Sequence, residues 1–305
     1  MERCGLIGRP LGHSSSSVIF NMTSRLTQKP EGYFLYEVHE PLIDAVKRMY
    51  DGGVQGFNVT LPFKKEIIPL LKQLDPEASE IGAVNCCLRT ENGYRGFNTD
   101  APGLMMSMDE AGIDISGRHI LLIGAGGGAR AAAWVCRKKK AASITVLNRT
   151  RANAEKLRED ILGLGTQKKA LTPEASGDTR HKDMLKVDVI TYEDQAEYLR
   201  GPGAEERYTA IQCTSVGMYP ETDRMPQVEE EFFRRLDAAV DIIYNPEETA
   251  FLKKAAFYHI PCLSGLDMLI CQAMISRQIW LKETVSGEVC AQVKEAVTEW
   301  LHDLP

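Results

Sequence analysis

A lysine and an aspartate, each just beyond a polar strand signature, are the residues here best suited to move a proton. "GFNVT" (Gly56 to Thr60) runs through Leu61-Pro62-Phe63 to Lys64, and "GFNTD" (Gly96 to Asp100) ends on a carboxylate. In extended chain, side chains i and i+2 share a face, so Asn58 and Thr60 point one way and Asn98 and Asp100 do the same. Open α/β sheets gather ligands beyond such strand ends. An ammonium oriented by a carboxylate can pass a proton to or from an alcohol oxygen while a nicotinamide gives or takes a hydride. Proline favours a helix start, so Pro62 predicts that Lys64 stands in a first helical turn. A cation is disfavoured there, because the unpaired N–H groups already make that end positive. Binding and proton transfer are reasons to keep it. The plainer alternative is a solvated pair Lys64-Lys65 with Asp100 as a helix N-cap, and it is preferred for Lys65 alone.

A second constellation is "LLIGAGGGARAAAW", which carries G-x-G-x-x-A at Gly124, Gly126 and Ala129 between a strand and a helix. Gly124 permits a tight turn, Gly126 lets backbone approach a pyrophosphate, and Ala129 allows close helix–strand packing. The next strand, "SITVL", ends in Asn148, Arg149, Thr150 and Arg151, where an NAD site usually presents an acid. Arginine and hydroxyl donors suit a 2′-phosphate, so NADP is expected over NAD. Arg130 adds charge near the phosphates or is a surface residue. A third cluster, Ser14 to Ser17 in "GRPLGHSSSSV", either caps a helix through Ser16 or Ser17, or uses alternate hydroxyls at Ser14 and Ser16 to hold a carboxylate or polyol. His13 shapes that turn or takes part in chemistry.

The elements that must position these groups are legible in outline. "CGLIG", "YFLYEV" and "VQGFNVT" read as strands, separated by helical patterns at "SVIFNMTSRLTQK" and "PLIDAVKRMYDGG". "FKKEIIPLLKQL" reads as helical with a kink at Pro69, and "EIGAVNCCLRTENGYRGFNTD" as two strands turning at Asn92-Gly93. This is an α/β domain with a mixed sheet. A second unit begins at His119, with further strands at "DVIT", "TAIQCT" and "AAVDIIY". Gly163 to Leu185 is polar and reads as a long irregular excursion. Two amphipathic helices, "DMLICQAMISRQIWLKE" and "EVCAQVKEAVTEWLHDL", close the chain and are expected to return to the first domain.

Composition narrows the partners. With 305 residues, 44% hydrophobic, the chain suits two modest domains. A net charge of -6 carries no nucleic-acid footprint, and the run Arg137 to Lys140 suits a helix C-terminus. No stretch reads as a signal peptide or a membrane span. The eight cysteines form no C-x-x-C and the histidines are scattered, so no metal site is expected and reduced cytoplasmic thiols are the simpler reading.

Taken together, "GRPLGHSSSS", "FNVTLPFKK", "EIGAVN", "GFNTD", "GAGGGARAAA", "NRT", "TSVGM", "DIIYNP" and "MLICQA" resemble shikimate dehydrogenase, including its quinate/shikimate branch, in family order over nearly the whole chain. The resemblance implies a two-domain α/β dehydrogenase. A mixed-sheet substrate domain would span 1–103, a Rossmann-type NADP domain 104–262, and C-terminal helices 263–305 would pack back on the former. It implies Lys64 and Asp100 as the catalytic pair, Ser14 and Ser16 on the substrate carboxylate, and Thr60, Asn85, Tyr244 and Gln272 on the rest of the substrate. Gly124, Gly126, Gly127, Ala129, Asn148, Arg149 and Thr150 would hold the dinucleotide, with Thr214, Ser215, Gly217 and Met218 on its nicotinamide side. The implied reaction is reversible reduction of 3-dehydroshikimate to shikimate with NADPH, in aromatic amino-acid biosynthesis, without a metal. A homodimer is compatible with it. Ser17 stands where the family usually has proline, and Asp267 brings a side chain close to the substrate-bearing helix. Quinate oxidation or NAD use therefore stays open, as do a folate-type methylene dehydrogenase and a non-catalytic dinucleotide or metabolite sensor.

Overall fold

The computed structural model describes residues 2–11, 14–29, 31–163 and 185–303. His13 and residues 164–184 of the polar stretch lie outside the described residues. The chain divides into two compact units, Met1–Met106 with Asp267–Pro305, and Ser107–Leu266.

In the first unit, β1 (Glu2–Gly8), α1 (Ser16–Leu26) and β2 (Glu31–Glu37) form one crossover, and α2 (Leu42–Asp51) leads to β3 (Gly56–Val59) on the other side of β1. These three strands are parallel. β5 (Cys86–Thr90) and β6 (Gly93–Phe97) continue the sheet antiparallel, and β4 (Gln73–Leu74) pairs parallel with β6, giving the order β2-β1-β3-β5-β6-β4. The expected mixed sheet is therefore present. Its core includes Ile7, Phe57, Ile67 and Tyr94, all buried. Thr90 pairs with Gly93, so the hairpin loop is Glu91-Asn92, one residue earlier than the Asn92-Gly93 signature, and Gly93 takes φ +139°.

The helix expected over Phe63 to Leu74 does not form. Turns lead to a single 3₁₀ turn at Ile68–Leu70 and then to β4. Pro69 has no N–H to give to the Lys65 carbonyl. The Lys64 carbonyl accepts from Val84 N–H at 2.8 Å, so Ile68 N–H bonds Lys65 instead. Lys64 therefore stands in a turn tied to the chain before β5, and no helix dipole opposes its charge. A short helix missed in the sequence, α3 (Pro76–Ile81), starts on Asp75, whose carboxylate accepts from Glu77 N–H, and ends at Gly82 with φ 70°. Asp-Pro followed by a late glycine is the signal that marks it.

α4 (Asp100–Glu110) follows β6, and the C-terminal helices α10 (Gly265–Leu281) and α11 (Gly287–His302) complete this unit. α11 packs on α1. α10 is held from two sides. Trp280 Nε1 donates to the Cys87 carbonyl at 3.0 Å, and Gly103 of α4 lies so close that an added Cβ would sit 2.8 Å from Gln272 N and Cβ. Only glycine lets the two helices approach this far. Asp267 ties the two C-terminal helices together: Lys294 of α11 donates to it at 2.6 Å.

The second unit is a parallel, doubly wound sheet. Its strands are β7 (His119–Ile123), β8 (Ser143–Leu147), β9 (Lys186–Ile190), β10 (Tyr208–Gln212), β11 (Leu236–Asp241) and β12 (Cys262–Leu263), in the order β12-β11-β10-β7-β8-β9. α5 (Gly127–Lys138) links β7 to β8, α6 (Arg151–Gly163) leaves β8, and α7 (Gln195–Arg200), α8 (Glu230–Arg234) and α9 (Ala250–Phe257) precede β10, β11 and β12 in turn. Leu121, Leu147, Ala210, Phe232 and Phe251 are buried in its core. β10 and β11 stop short of the expected "TAIQCT" and "AAVDIIY", so Cys213 onward and Ile242 onward leave the sheet as loops. Among the described residues no helix is long and apolar enough to cross a membrane.

Candidate active site

Lys64 and Asp100 meet. Lys64 Nζ donates to Asp100 Oδ2 at 2.7 Å, with the two side chains 30% and 18% exposed, so the pair is sheltered yet within reach of a ligand. Asp100 opens α4 without capping it. Asn98 Oδ1 accepts from Ala101 N–H at 3.1 Å and its Nδ2 donates to the Ala83 carbonyl, so Asn98 is the structural residue and neither Asp100 oxygen is spent on capping the helix. β6 ends at Phe97, so the strand-face pairing expected for Asn98 and Asp100 does not apply.

The second Asp100 oxygen belongs to Asn85. Asn85 Nδ2 donates to Asp100 Oδ1 at 2.8 Å and to Thr99 Oγ1 at 3.0 Å, while Asn85 Oδ1 accepts from Thr99 N–H at 2.6 Å. A backbone N–H can only donate, so this last bond fixes which way the amide faces and turns its donors on the carboxylate. Gln272 Oε1 lies 3.4 Å from Asn85 Nδ2 and 3.3 Å from Thr99 Oγ1, and its Nε2 donates to the Leu269 carbonyl. Those long contacts leave the Oε1 with acceptor capacity.

Thr60 follows β3, half-buried, with its N–H on the Ile7 carbonyl. Ser14 Oγ accepts from Ser16 N–H at 3.3 Å, and α1 begins from Ser15 with no side-chain cap. Neither Ser16 nor Ser17 is the N-cap. The Ser16 side chain lies beside the Tyr33 hydroxyl, which donates to Asn58 Oδ1 at 3.0 Å. Tyr244 lies in the other unit, three residues past β11. Asn58, Thr99 and Ser276 are buried site neighbours that spacing alone does not assign. "GFN" and "NTD" held signals for the first two, and nothing marks Ser276.

In the second unit Gly124 takes φ +105°, and an added Cβ would sit 2.9 Å from Thr214 Cγ2. A side chain at Gly126 or Gly127 would meet nothing within 4 Å, and α5 starts with no side-chain cap and no acid in its first turn. The start of α5 is thus open to close approach, as an anion at a helix N-terminus requires. Ala129 is buried, but Gly128 also sets the packing: an added Cβ there would lie 2.3 Å from Ile242 Cδ1. Beyond β8, Asn148 Nδ2 donates to the Thr150 carbonyl at 2.8 Å, while Arg149 and Thr150 are exposed. Arg151 pairs with Asp194 at 2.5 Å and Arg130 pairs with Asp160.

The loop after β10 is braced by Gln212, which sequence reasoning missed. Its Oε1 accepts from Thr214 N–H at 2.5 Å and its Nε2 reaches the Thr214 and Val216 carbonyls, both at 3.3 Å. Thr214 Oγ1 accepts from Val216 N–H, Met218 N–H bonds the Ser215 carbonyl, and Gly217 turns with φ +97°. Asp241 ends β11 fully buried, accepting from Ile243 N–H at 2.9 Å and Thr249 Oγ1 at 2.7 Å. Burial pushes its carboxyl up to about 6, against the lowering effect of these donors and of Gln212.

Comparison with known proteins bears on the family and the fold. Residues 6–87 match the sequence model of the shikimate dehydrogenase substrate binding domain, and residues 107–175 match that of shikimate / quinate 5-dehydrogenase. The shikimate dehydrogenase (NADP(+)) of Caldanaerobacter subterraneus subsp. tengcongensis is 33% identical over 280 residues, 92% of this chain and 91% of that protein. The crystal structure of shikimate 5-dehydrogenase from Thermus thermophilus, in complex with NADP(H) and shikimate, matches with a TM-score of 0.79 at 28% identity, covering 98% of this chain and 99% of that one. The shikimate 5-dehydrogenase from Listeria monocytogenes, in complex with shikimate and NAD, matches with a TM-score of 0.81 at 29% identity, covering 97% and 96%. With relatives aligned over nine-tenths of its length, the chain belongs to the shikimate dehydrogenase family and is an enzyme of the shikimate dehydrogenase type.

Proposed function

We propose that this enzyme interconverts 3-dehydroshikimate and shikimate, with NADP as its preferred hydride carrier. The observation that carries the reading is the Lys64–Asp100 pair with Asn85 locked onto its free carboxylate oxygen. Lys64 Nζ is the proton donor to the C3 oxygen in reduction and receives the proton in oxidation. Asp100 holds the ammonium on target and balances its charge, and Asn85 prevents the carboxylate from turning away. Ser14 and Ser16 take the substrate carboxylate. Thr60, Asn85 and Gln272 take its ring hydroxyls, with the underused Gln272 Oε1 accepting from one of them.

The residues of the second unit fit a dinucleotide, on the open cradle at Gly126 and Gly127 and the uncapped α5. Bound NADP supplies or accepts the hydride. Gly124, Gly126, Gly127 and Ala129 shape the pyrophosphate turn. Asn148, Arg149 and Thr150 receive the 2′-phosphate, and Thr214, Ser215, Gly217 and Met218 line the nicotinamide side. The Arg151–Asp194 pair favours a second reading, in which discrimination rests on Arg149 and NAD is also used. Comparing kcat/KM for shikimate and quinate with NADP+ and with NAD+ tests both readings. The first predicts the shikimate–NADP+ pair to lead. Turnover of neither substrate with either cofactor would overturn both.

A further inference from the structure

The polar groups around Asn85 form one hydrogen-bonded network whose protons can be placed almost without choice, and its hub is on α10. Ser276 Oγ donates to the Gln272 carbonyl at 2.9 Å, so it can only accept from its other two partners. Those are Asn58 Nδ2 at 2.9 Å and Thr99 Oγ1 at 3.0 Å. With its proton given to Ser276, Thr99 Oγ1 must accept from Asn85 Nδ2, as its 3.0 Å distance allows. Asn85 then has its second N–H for Asp100, and Asp100 has its second oxygen for Lys64. On the other branch, Asn58 Nδ2 also donates to the Asn85 carbonyl at 3.1 Å, and Asn58 Oδ1 accepts from the Tyr33 phenol, beside Ser16. Ser276 is fully buried, with no route to solvent that would replace a lost acceptor. The Cys86 thiol lies beside it, pushed up to about 12 by burial, and so adds no charge.

Building on the proposed role of Lys64 and Asp100, we infer that Ser276 is a positioning residue for proton transfer: through Thr99 and Asn85 it fixes the carboxylate that aims Lys64, and through Asn58 and Tyr33 it ties that pair to Ser16. Removing its hydroxyl takes the present acceptor from the Thr99 hydroxyl and from one of the two Asn58 N–H groups, the other staying on the Asn85 carbonyl. The Thr99 hydroxyl then turns its proton toward Asn85 Oδ1 or Gln272 Oε1, both 3.3 Å away, which moves its lone pairs off line with Asn85 Nδ2 and weakens that bond. The grip of Asn85 on Asp100 loosens, although no atom of Ser276 bonds either catalytic residue.

Ser276→Ala tests this. Expected are a fall in kcat for shikimate oxidation of about tenfold, with KM changed less than about threefold, because orientation rather than binding is lost. The acid limb of the pH–rate profile moves as well, because the pair that carries the proton is held differently. Ser276→Thr keeps the hydroxyl and its bond to the carbonyl four residues back, and should restore kcat and the profile. In a Thr99→Val background the link to Asn85 is already cut, so adding Ser276→Ala should cost little more. If Ser276→Ala does not fold, Ser276→Cys, with a weakly accepting sulfur, gives the same comparison at smaller amplitude. Wild-type kcat and profile in the alanine or cysteine variant would overturn the inference. So would a loss of kcat with an unmoved acid limb, or full additivity with Thr99→Val. A readout without substrate separates this from the proposed reaction: the Asn85 side-chain amide resonances of the ligand-free protein should shift in Ser276→Ala. Unmoved resonances would overturn the network whichever substrate the enzyme uses.

Discussion

Replacing Asp100 by asparagine removes one of two acceptors that the site uses at once. The carboxylate takes Lys64 Nζ at 2.7 Å on one oxygen and Asn85 Nδ2 at 2.8 Å on the other. An amide has a single acceptor, so either orientation turns its own N–H groups on another donor. The Lys64 bond is charge-assisted, worth about 1.5–3 kcal/mol, which as lost transition-state stabilisation is roughly ten- to hundredfold in rate. The Asn85 amide cannot flip to compensate, because Thr99 N–H holds its oxygen at 2.6 Å. The assay is initial-rate oxidation of shikimate at saturating substrate and NADP+, following reduced nicotinamide, with NADP+ affinity measured separately. We expect kcat about a hundredfold below wild type and NADP+ affinity within about twofold of it. A kcat within about threefold of wild type would refute the reasoning, because an ammonium oriented by that carboxylate could not survive its loss.

Gly103→Ala should drive α4 and α10 apart, because the new Cβ would meet Gln272 backbone nitrogen at 2.8 Å and Cα at 3.0 Å, neither of which can swing aside. Overpacking of this kind costs about 1–3 kcal/mol, visible as a Tm lower by several degrees together with a raised KM for shikimate. Arg149→Ala should weaken NADP+ by about tenfold and leave NAD+ nearly unchanged in paired titrations, since a charge-assisted phosphate contact is lost from one cofactor only. Equal losses would remove the 2′-phosphate role. Asp241→Asn should flatten the pH dependence of stability. The folded carboxyl sits near 6, above its ordinary value of 3.8, so its contribution is fully present below about 4 and is lost as pH rises through about 6. That displacement corresponds to about 3 kcal/mol, so denaturant titrations of wild type and variant should differ by an amount that falls by up to about 3 kcal/mol from pH 4 to 7. A pH-independent difference would contradict it.

What was readable in the sequence was local. The strand–turn–helix around Gly124 follows from glycine conformation and apolar periodicity, and the first-unit strands from alternation and turn residues. Lys64 and Asp100 stood out because each follows a polar strand end. The failures were tertiary. Lys64 to Leu74 has helical periodicity, yet a carbonyl captured by Val84 and a proline without an N–H give the segment to turns and a short strand. That Asn98 takes the capping duty beside Asp100 shows only in the folded chain. Ser276 lies 218 positions from Asn58, which donates to it, so only the folded chain shows the network. Asp267 was legible as a charge on the helix that bears Gln272, but its bond to Lys294 on the next helix shows only in the folded chain.

The central claim is that Lys64 carries the proton. Turnover of shikimate with NADP+ by Lys64→Ala, set beside the NADP+ affinity of the same protein, tests it most directly. Loss of the proton-transfer group predicts kcat reduced by about a thousandfold with cofactor affinity intact. Turnover near the wild-type rate would contradict it.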